Sequence, residues 1–302
     1  METYTIHRRI GEEEIASILR LAKIIERHDG HKALEDHTWI DLVQGGRRGV
    51  SGFIAESVAT SAALGYVRVA GTGTSWAIEL LVDPDYRTDE SALGLDLLRQ
   101  ALEEISRSGG GHVHLWVAKP TDYTDAIAQA AGLHKGRDLY QMRRALPLTQ
   151  RIASRPVITR GFVVGRDEEA WLEVNNRAFA WHPEQGGWSR ATLLSRESEP
   201  WFDPAGFLLT HIDGRLAAFC WTKIHAHEEP PLGEIYVIGT EPDFAGQGLG
   251  AAMCEAGLDY LSQRGLTTAM LYVDADNKTA LTMYDHFGFH IDHIDRAYTA
   301  DR

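Results

Sequence analysis

Gly246, Gly248 and Gly250 punctuate the stretch EIYVIGTEPDFAGQGLGAAM, between a strand ending near Ile238 and the start of a helix. Glycines at such a junction leave backbone N–H groups uncovered at a helix N-terminus, a ready seat for phosphate oxygens. Upstream, EIYVIG alternates as a strand, which sends Glu234, Tyr236 and Ile238 to one face and Ile235 and Val237 to the other. A carboxylate held among apolar neighbours is desolvated and becomes a stronger base, whereas a strand-end Glu open to water does not. Residue type alone leaves both readings open. Tyr284 follows Asn277 by seven residues, two turns of helix on the same side. It reads either as a core tyrosine or as a phenol placed to donate its hydrogen.

The glycines also fit a dinucleotide fingerprint, Gly246-x-Gly248-x-x-Ala251, with Asp274 as the ribose acid. Two features count against it. TEPDFA intervenes before the first glycine, and only about 50 residues remain for the rest of a doubly wound sheet.

The elements that must hold these residues occur twice. Residues 76 to 143 read as strand (WAIELLV), polar loop, helix (ALGLDLLRQALEEI), strand (HVHLWVAK), short helix and strand; residues 234 to 298 repeat that order. Gly94 and Gly250, Trp116 and Tyr272, and Gly132 and Gly288 all stand 156 residues apart, so the copies match in register. Before each comes an amphipathic helix, with Ile15, Ile18, Leu19, Ala22 and Ile25 in the first and WLEVNNRAFAW in the second. Antiparallel strands follow, and in the second copy FLLTHI and RLAAFCWTKI flank the hairpin turn Asp213-Gly214. Each copy therefore predicts a mixed sheet flanked by helices.

Together these features resemble the GNAT superfamily of acyl-CoA-dependent N-acyltransferases. Its hallmark is a central strand, a Q/R-x-x-G-x-G/A pyrophosphate loop opening a helix, and a later N-x-x-A-x-x-x-Y-x-x-x-G-F segment. The counterparts here are Ala245-Gly246-Gln247-Gly248-Leu249-Gly250, then Asn277, Ala280, Tyr284, Gly288 and Phe289. Only the opening Q/R is replaced, by Ala245, which loses at most a side-chain contact because backbone N–H groups hold the phosphate. The fold implied is α/β, an α+β mixed sheet in two tandem GNAT-like domains. Over essentially its whole length the chain also resembles the narrower mycothiol synthase family. That likeness rests on Asn175-Asn176, Ala178-Phe179, His182 to Trp188 (HPEQGGW), Trp201 to Pro204 (WFDP), Trp221-Thr222-Lys223, Gly233-Glu234 with Tyr236-Val237, and Leu271-Tyr272-Val273.

The resemblance implies that acetyl passes from acetyl-CoA to the cysteinyl amine of a cysteine–glucosamine–inositol conjugate, desacetylmycothiol, in the last step of mycothiol biosynthesis, with the C-terminal copy as catalyst. It implies Glu234 as general base, acting directly or through water, Tyr284 as general acid to the departing sulfur, and backbone N–H groups from Val237 to Gly239 as the oxyanion site. Acetyl-CoA falls to Ile238, Gly239 and Thr240 at the strand end, and to Ala245, Gly246, Gln247, Gly248, Leu249, Gly250 and Ala251 at the pyrophosphate. It also falls to Asn277, Lys278, Thr279, Ala280, Leu281 and Thr282 on the later helix, and Leu80, Leu81 and Val82 are the matching positions of the N-terminal copy. The acceptor falls to Asp36, with Glu35 as its neighbouring candidate, and to Glu184, Lys223, Glu234 and Tyr272; a ligand from the N-terminal copy would set it between the domains. Solvated surface charge is the plain alternative for Glu184 and Lys223. The N-terminal copy departs from the pattern: DYRTDESALG is acidic where phosphates would sit, Ala92 replaces the twin's Gly248, and Gly132 is preceded by AQAA rather than by a tyrosine. With Glu79 alone matching Glu234, it reads as a degenerate, non-catalytic copy. The competing readings are a tandem acetyltransferase for another small amine or a protein N-terminus, and a non-catalytic CoA-binding protein.

Composition sets the outer bounds. A chain of 302 residues with 44% hydrophobic residues builds two cores of ordinary size. The boundary falls in ALPLTQRIASRPV, giving domains at 1–147 and 157–302. Thirty basic against 43 acidic residues, a net charge of −13, argue against nucleic acid or an anionic membrane as partner. Cys220 and Cys254 are too few for a disulfide scaffold or a structural metal. No apolar run has signal-peptide or membrane-spanning length. A cytoplasmic monomer without a metal is the expectation.

Overall fold

The computed structural model describes residues 3–8, 12–34, 50–72, 74–182 and 185–302. In the first copy the elements are β1 (Tyr4–His7), α1 (Glu12–Asp29), β2 (Val50–Ser57), β3 (Ala63–Thr72), β4 (Ser75–Val82), α2 (Leu93–Arg107), β5 (His112–Ala118), α3 (Asp122–Ala130) and β6 (His134–Ala145). The second copy follows with β7 (Thr159–Gly161), α4 (Glu168–Ala178), α5 (Arg190–Glu197), β8 (Phe207–Ile212), β9 (Arg215–His225), β10 (Leu232–Thr240), α6 (Leu249–Gln263), β11 (Thr268–Asp274), α7 (Lys278–His286) and β12 (His290–Asp301). Both repeats have the expected order of elements, and no helix or strand occupies 146–158. The short strands β1 and β7 and the helix α5 carry too little periodicity to stand out in the sequence.

The chain packs into two compact units, residues 1–138 with 294–302, and residues 139–293. These do not coincide with the two copies, because the copies trade their last strands. Strands β6 and β12 begin and end 156 residues apart and share one burial pattern. Residues 139–145 of β6 pair antiparallel with β11 in the second unit, while residues 295–301 of β12 pair with β5 in the first. Near-identical strand patterns satisfy either sheet, so duplication makes the exchange sterically natural.

In the first unit, β4 pairs antiparallel with β3 and parallel with β5. Its Ile78 and Val82 pack under α2 and α3, and Leu81 faces the cluster built on α1. In the second unit, β10 lies between antiparallel β9 and parallel β11. One face carries the cluster of Ile235, Cys220, Leu258, Leu271 and Tyr284 under α6 and α7. The other carries an aromatic block of Trp171, Phe207, Phe219 and Trp221 under α4. There Phe207 stacks on Trp221 at 4.2 Å between ring centroids, and Trp171 meets Trp221 edge-on at 5.7 Å. Asp213 and Gly214 both take positive φ, 50° and 77°, as the two-residue turn between β8 and β9 demands.

Helix α6 reaches its depth on the sheet because residue 257 has no side chain. A Cβ there would lie 2.5 Å from Cys220 Sγ and 2.8 Å from Ile235 Cδ1. Gly257→Ala should therefore lower the unfolding free energy by about 1–3 kcal/mol, the usual cost of overpacking a core, read as a shift of the urea midpoint at constant m-value.

Candidate active site

Strands β9 and β10 stay in register from Leu232 opposite His225 to Ile235 opposite Thr222, then slip by one residue, so that Val237 faces Trp221. Tyr236 is the extra residue of a β-bulge. Strict alternation would keep Ile238 with Glu234 and Tyr236; the bulge reverses this. Tyr236 and Val237 both pack on the aromatic block, and Ile238 joins Ile235 over the opposite cluster. Only Glu234 and Tyr236 of the expected trio share a face. Beyond Ile235 the β10 ladder to β11 also ends, although β11 continues to Asp274 against β6. Ile238, Gly239 and Thr240 thus present a strand edge without a β11 partner.

Glu234 is 5% exposed. Its surroundings are not wholly apolar, as the alternation implied: Lys223 stands directly across on β9, and His225 Nε2 lies 2.7 Å from its Oε2. Lys223 Nζ sits 4.9 Å from the centroid of the Trp201 ring and 5.8 Å from that of Tyr236, a cation–π seat that fixes the ammonium on this face. Burial pushes the Tyr236 phenol above its ordinary value. Tyr272, 42% exposed, accepts a hydrogen bond from Gln141 Nε2 at 2.8 Å. Gln141 in turn accepts from Arg143 Nε at 2.8 Å. Both come from β6, so the traded strand supplies the support for a residue assigned to the acceptor.

The opposite side gathers the elements that the sequence assigns to acetyl-CoA. Gly246 and Gly248 adopt φ of 76° and 75°, and a Cβ at Gly246 would meet nothing within 4 Å, so these glycines serve backbone conformation in an exposed loop. Helix α6 has no acidic residue in its first turn. The nearby Asp243 is neutralised by Arg215 at 2.6 Å and Arg177 at 3.1 Å, and these bonds hold its carboxyl below the usual range. A Cβ on Gly250 would touch Met283 Sδ at 3.7 Å and Thr240 Oγ1 at 3.9 Å, which brings β10, α6 and α7 together at one point. Asn277 caps α7, accepting from the Ala280 amide at 3.1 Å. Lys278 Nζ donates to the Ala275 carbonyl at 2.7 Å, and Thr282 Oγ1 to the Lys278 carbonyl at 2.8 Å, so these side chains also fix their own helix. Tyr284 lies in the α6–α7 cluster, edge-on to Phe289 at 5.7 Å, and burial raises its phenol far above its ordinary value.

Asp36, its neighbour Glu35, and Glu184 lie outside the described residues. The flanks of the HPEQGGW motif are described, and they explain the paired asparagines. Buried Asn175 donates to the Gln185 carbonyl and accepts from the Gln185 side chain, both at 3.0 Å. Asn176 donates to the Trp188 carbonyl and accepts its amide, both at 2.9 Å. Two side-chain amides thus bind the segment as a neighbouring strand would. His225 is the site residue that sequence reading missed; its signal is the alternation Lys223, His225 opposite Glu234 across a hairpin. Among the described residues, no group of His, Cys, Asp and Glu is arranged to hold a metal ion, and no helix is long and apolar enough to cross a membrane. Asn176→Ala should speed hydrogen exchange of the Trp188 amide by about tenfold, as loss of its acceptor requires; unchanged protection would contradict the clamp.

Residues 171–289 match the model of the acetyltransferase (GNAT) family. A protein of Acidimicrobium ferrooxidans named mycothiol acetyltransferase is 43% identical over 286 residues, covering 93% of this chain and 92% of its own. Among solved structures, a GCN5-related N-acetyltransferase from Sphaerobacter thermophilus superposes with a TM-score of 0.78 at 21% identity, over 99% of this chain and 95% of its own. A tandem GNAT protein from the clavulanic acid biosynthesis pathway gives a TM-score of 0.70 at 15% identity, over 99% of this chain and 98% of its own. The two structures share the fold, and the extent of the first likeness decides the family: the chain is a GNAT-fold acetyltransferase and belongs to the mycothiol acetyltransferases.

Proposed function

We propose that this chain moves the acetyl group of acetyl-CoA to the cysteinyl amine of a cysteine–glucosamine–inositol conjugate, completing mycothiol. The observation that carries the reading is the 43% identity to a named mycothiol acetyltransferase, sustained over 93% of the chain. The acceptor amine must be neutral to attack the thioester carbonyl, so a base has to take its proton. Glu234 is assigned that role, directly or through one water. Lys223, held over Trp201 and Tyr236, and the Tyr272 phenol are assigned the hydroxyl groups of the sugar and inositol, with Glu184 and Asp36 as further acceptor ligands. Backbone N–H groups from Val237 to Gly239 are assigned the carbonyl oxygen as it gains charge.

On the donor side, the exposed glycines of Ala245 to Ala251 and the uncovered first turn of α6 fit a pyrophosphate. Ile238, Gly239 and Thr240 offer the unpaired strand edge to the pantetheine amides, and residues 277–282 of α7 close the other side. Tyr284 is assigned the leaving sulfur. Because burial raises its phenol, the group stays protonated throughout the working range and acts as a hydrogen-bond donor.

The N-terminal copy is assigned no catalysis. Its Glu79 is paired with the buried Arg68 at 3.4 Å, and the β3–β4 register runs unbroken, without a bulge. Ala128 stands where the twin has Tyr284. Tyr123, its phenol pushed up to about 12 by burial, covers Gly94 at the start of α2, so a methyl there would collide with it. That plug counts against acetyl-CoA at Leu80, Leu81 and Val82. The reaction is assigned to the cytoplasm, to one chain acting alone on two small molecules.

Release of CoA from acetyl-CoA, followed with the cysteinyl conjugate and with a panel of other amines, tests the reading. It predicts kcat/KM for the conjugate at least about a hundredfold above the panel, as differential transition-state binding allows; equal rates would leave the acetyl chemistry and remove the acceptor. Tyr284→Phe should lower kcat by about tenfold or more evenly from pH 6 to 10, because a phenol that never ionises there contributes no alkaline limb; a limb that vanishes in the variant would contradict this. Gly248→Ala, strained at positive φ, should raise KM for acetyl-CoA by about tenfold while leaving the acceptor KM within about twofold.

A further inference from the structure

We infer that His225 is a positioning residue for the acetyl transfer, holding the Glu234 carboxylate so that one oxygen faces the acceptor nitrogen. This rests on the reading of Glu234 as the base. His225 ends β9, two residues after Lys223 on the same face, and its Nε2 reaches Glu234 Oε2 at 2.7 Å. An ionised carboxylate only accepts, so Nε2 carries the hydrogen in the working state. Among the described residues Oε1 of Glu234 has no hydrogen-bond partner, which leaves it for the amine or for one intervening water. The step balances: the ammonium N–H bond breaks, its proton forms an O–H bond at Oε1, and nitrogen keeps the electron pair for attack on the thioester. The Nε2–H bond meanwhile fixes the carboxylate rotamer and spreads its charge.

The test compares kcat and KM of the full-length protein carrying His225→Ala, His225→Gln or Glu234→Gln, with acetyl-CoA and the cysteinyl conjugate as substrates. Glutamine can donate the same bond. The inference predicts that His225→Ala lowers kcat by about tenfold or more, that His225→Gln recovers most of that loss, and that KM for acetyl-CoA stays within about twofold in both. A Glu234→Gln variant at least about a hundredfold slower, beside His225 variants with wild-type kcat, overturns the role of His225 alone. Wild-type turnover by Glu234→Gln overturns the base and this inference together. Equal losses in both His225 variants mark a merely structural contact and also overturn it.

Discussion

The two chemical faces of the C-terminal site exist because β10 carries one residue more than β9 can pair. A regular strand would send every second side chain the same way and remain zipped to its neighbours along its whole length. With Tyr236 inserted, Tyr236 and Val237 point to the aromatic block together, while Ile238 crosses to the α6–α7 side. The carboxylate, ammonium and phenols of Glu234, Lys223, Tyr236 and Tyr272 stay together, and Tyr284 and the helix that follows the glycine loop collect on the other side. The unpaired bulge residue gives up a ladder bond worth about 1 kcal/mol. Contacts of Tyr236 with Trp201 and Trp221, at 5.1 and 5.3 Å between centroids, return about 0.5–1.5 kcal/mol each. The tryptophans of the WFDP and Trp221-Thr222-Lys223 motifs are thereby explained as supports of the strand defect and as the seat of Lys223.

Duplication makes the same point by contrast. The N-terminal copy has the same elements in the same order, yet β4 lacks the bulge and its Glu79 is matched with Arg68. Asp85, Asp89 and Glu90 crowd the stretch before α2, which has Asp96 in its first turn, whereas α6 has no acid there and Asp243 is covered by two arginines. One fold thus supports two electrostatic characters, and the fold alone does not choose between them. Through the strand exchange Gln141, on the last strand of the first copy, donates to the Tyr272 phenol of the second.

Much of this was legible in the residues. Repeats at 156-residue spacing, the Asp213-Gly214 hairpin and the glycine loop each rest on local rules, and local rules survive folding. The bulge was not legible, because Tyr236 is as good a regular strand residue as any, and only the partner strand shows that it is extra. The strand exchange was hidden for a related reason: β6 and β12 are near-equal in pattern, so sequence cannot say which sheet each completes. His225 was missed because its contact with Glu234 depends on cross-strand register. Asn175 and Asn176 carried no assigned role in the sequence beyond the family likeness; in the structure they clamp the 185–188 segment.

The most direct test of the bulge as organiser is to delete Tyr236 and measure acetyl transfer and acetyl-CoA binding in the folded variant, beside Tyr236→Phe as a control for the phenol. Without the extra residue, alternation returns, Ile238 and its neighbours change faces, and the β10 edge moves relative to Glu234. The account predicts a folded protein with turnover at least about a hundredfold down and weakened acetyl-CoA binding, while Tyr236→Phe keeps most of its activity, in line with the loss expected when catalytic geometry is displaced by about an ångström. Wild-type turnover in the deletion variant would contradict it.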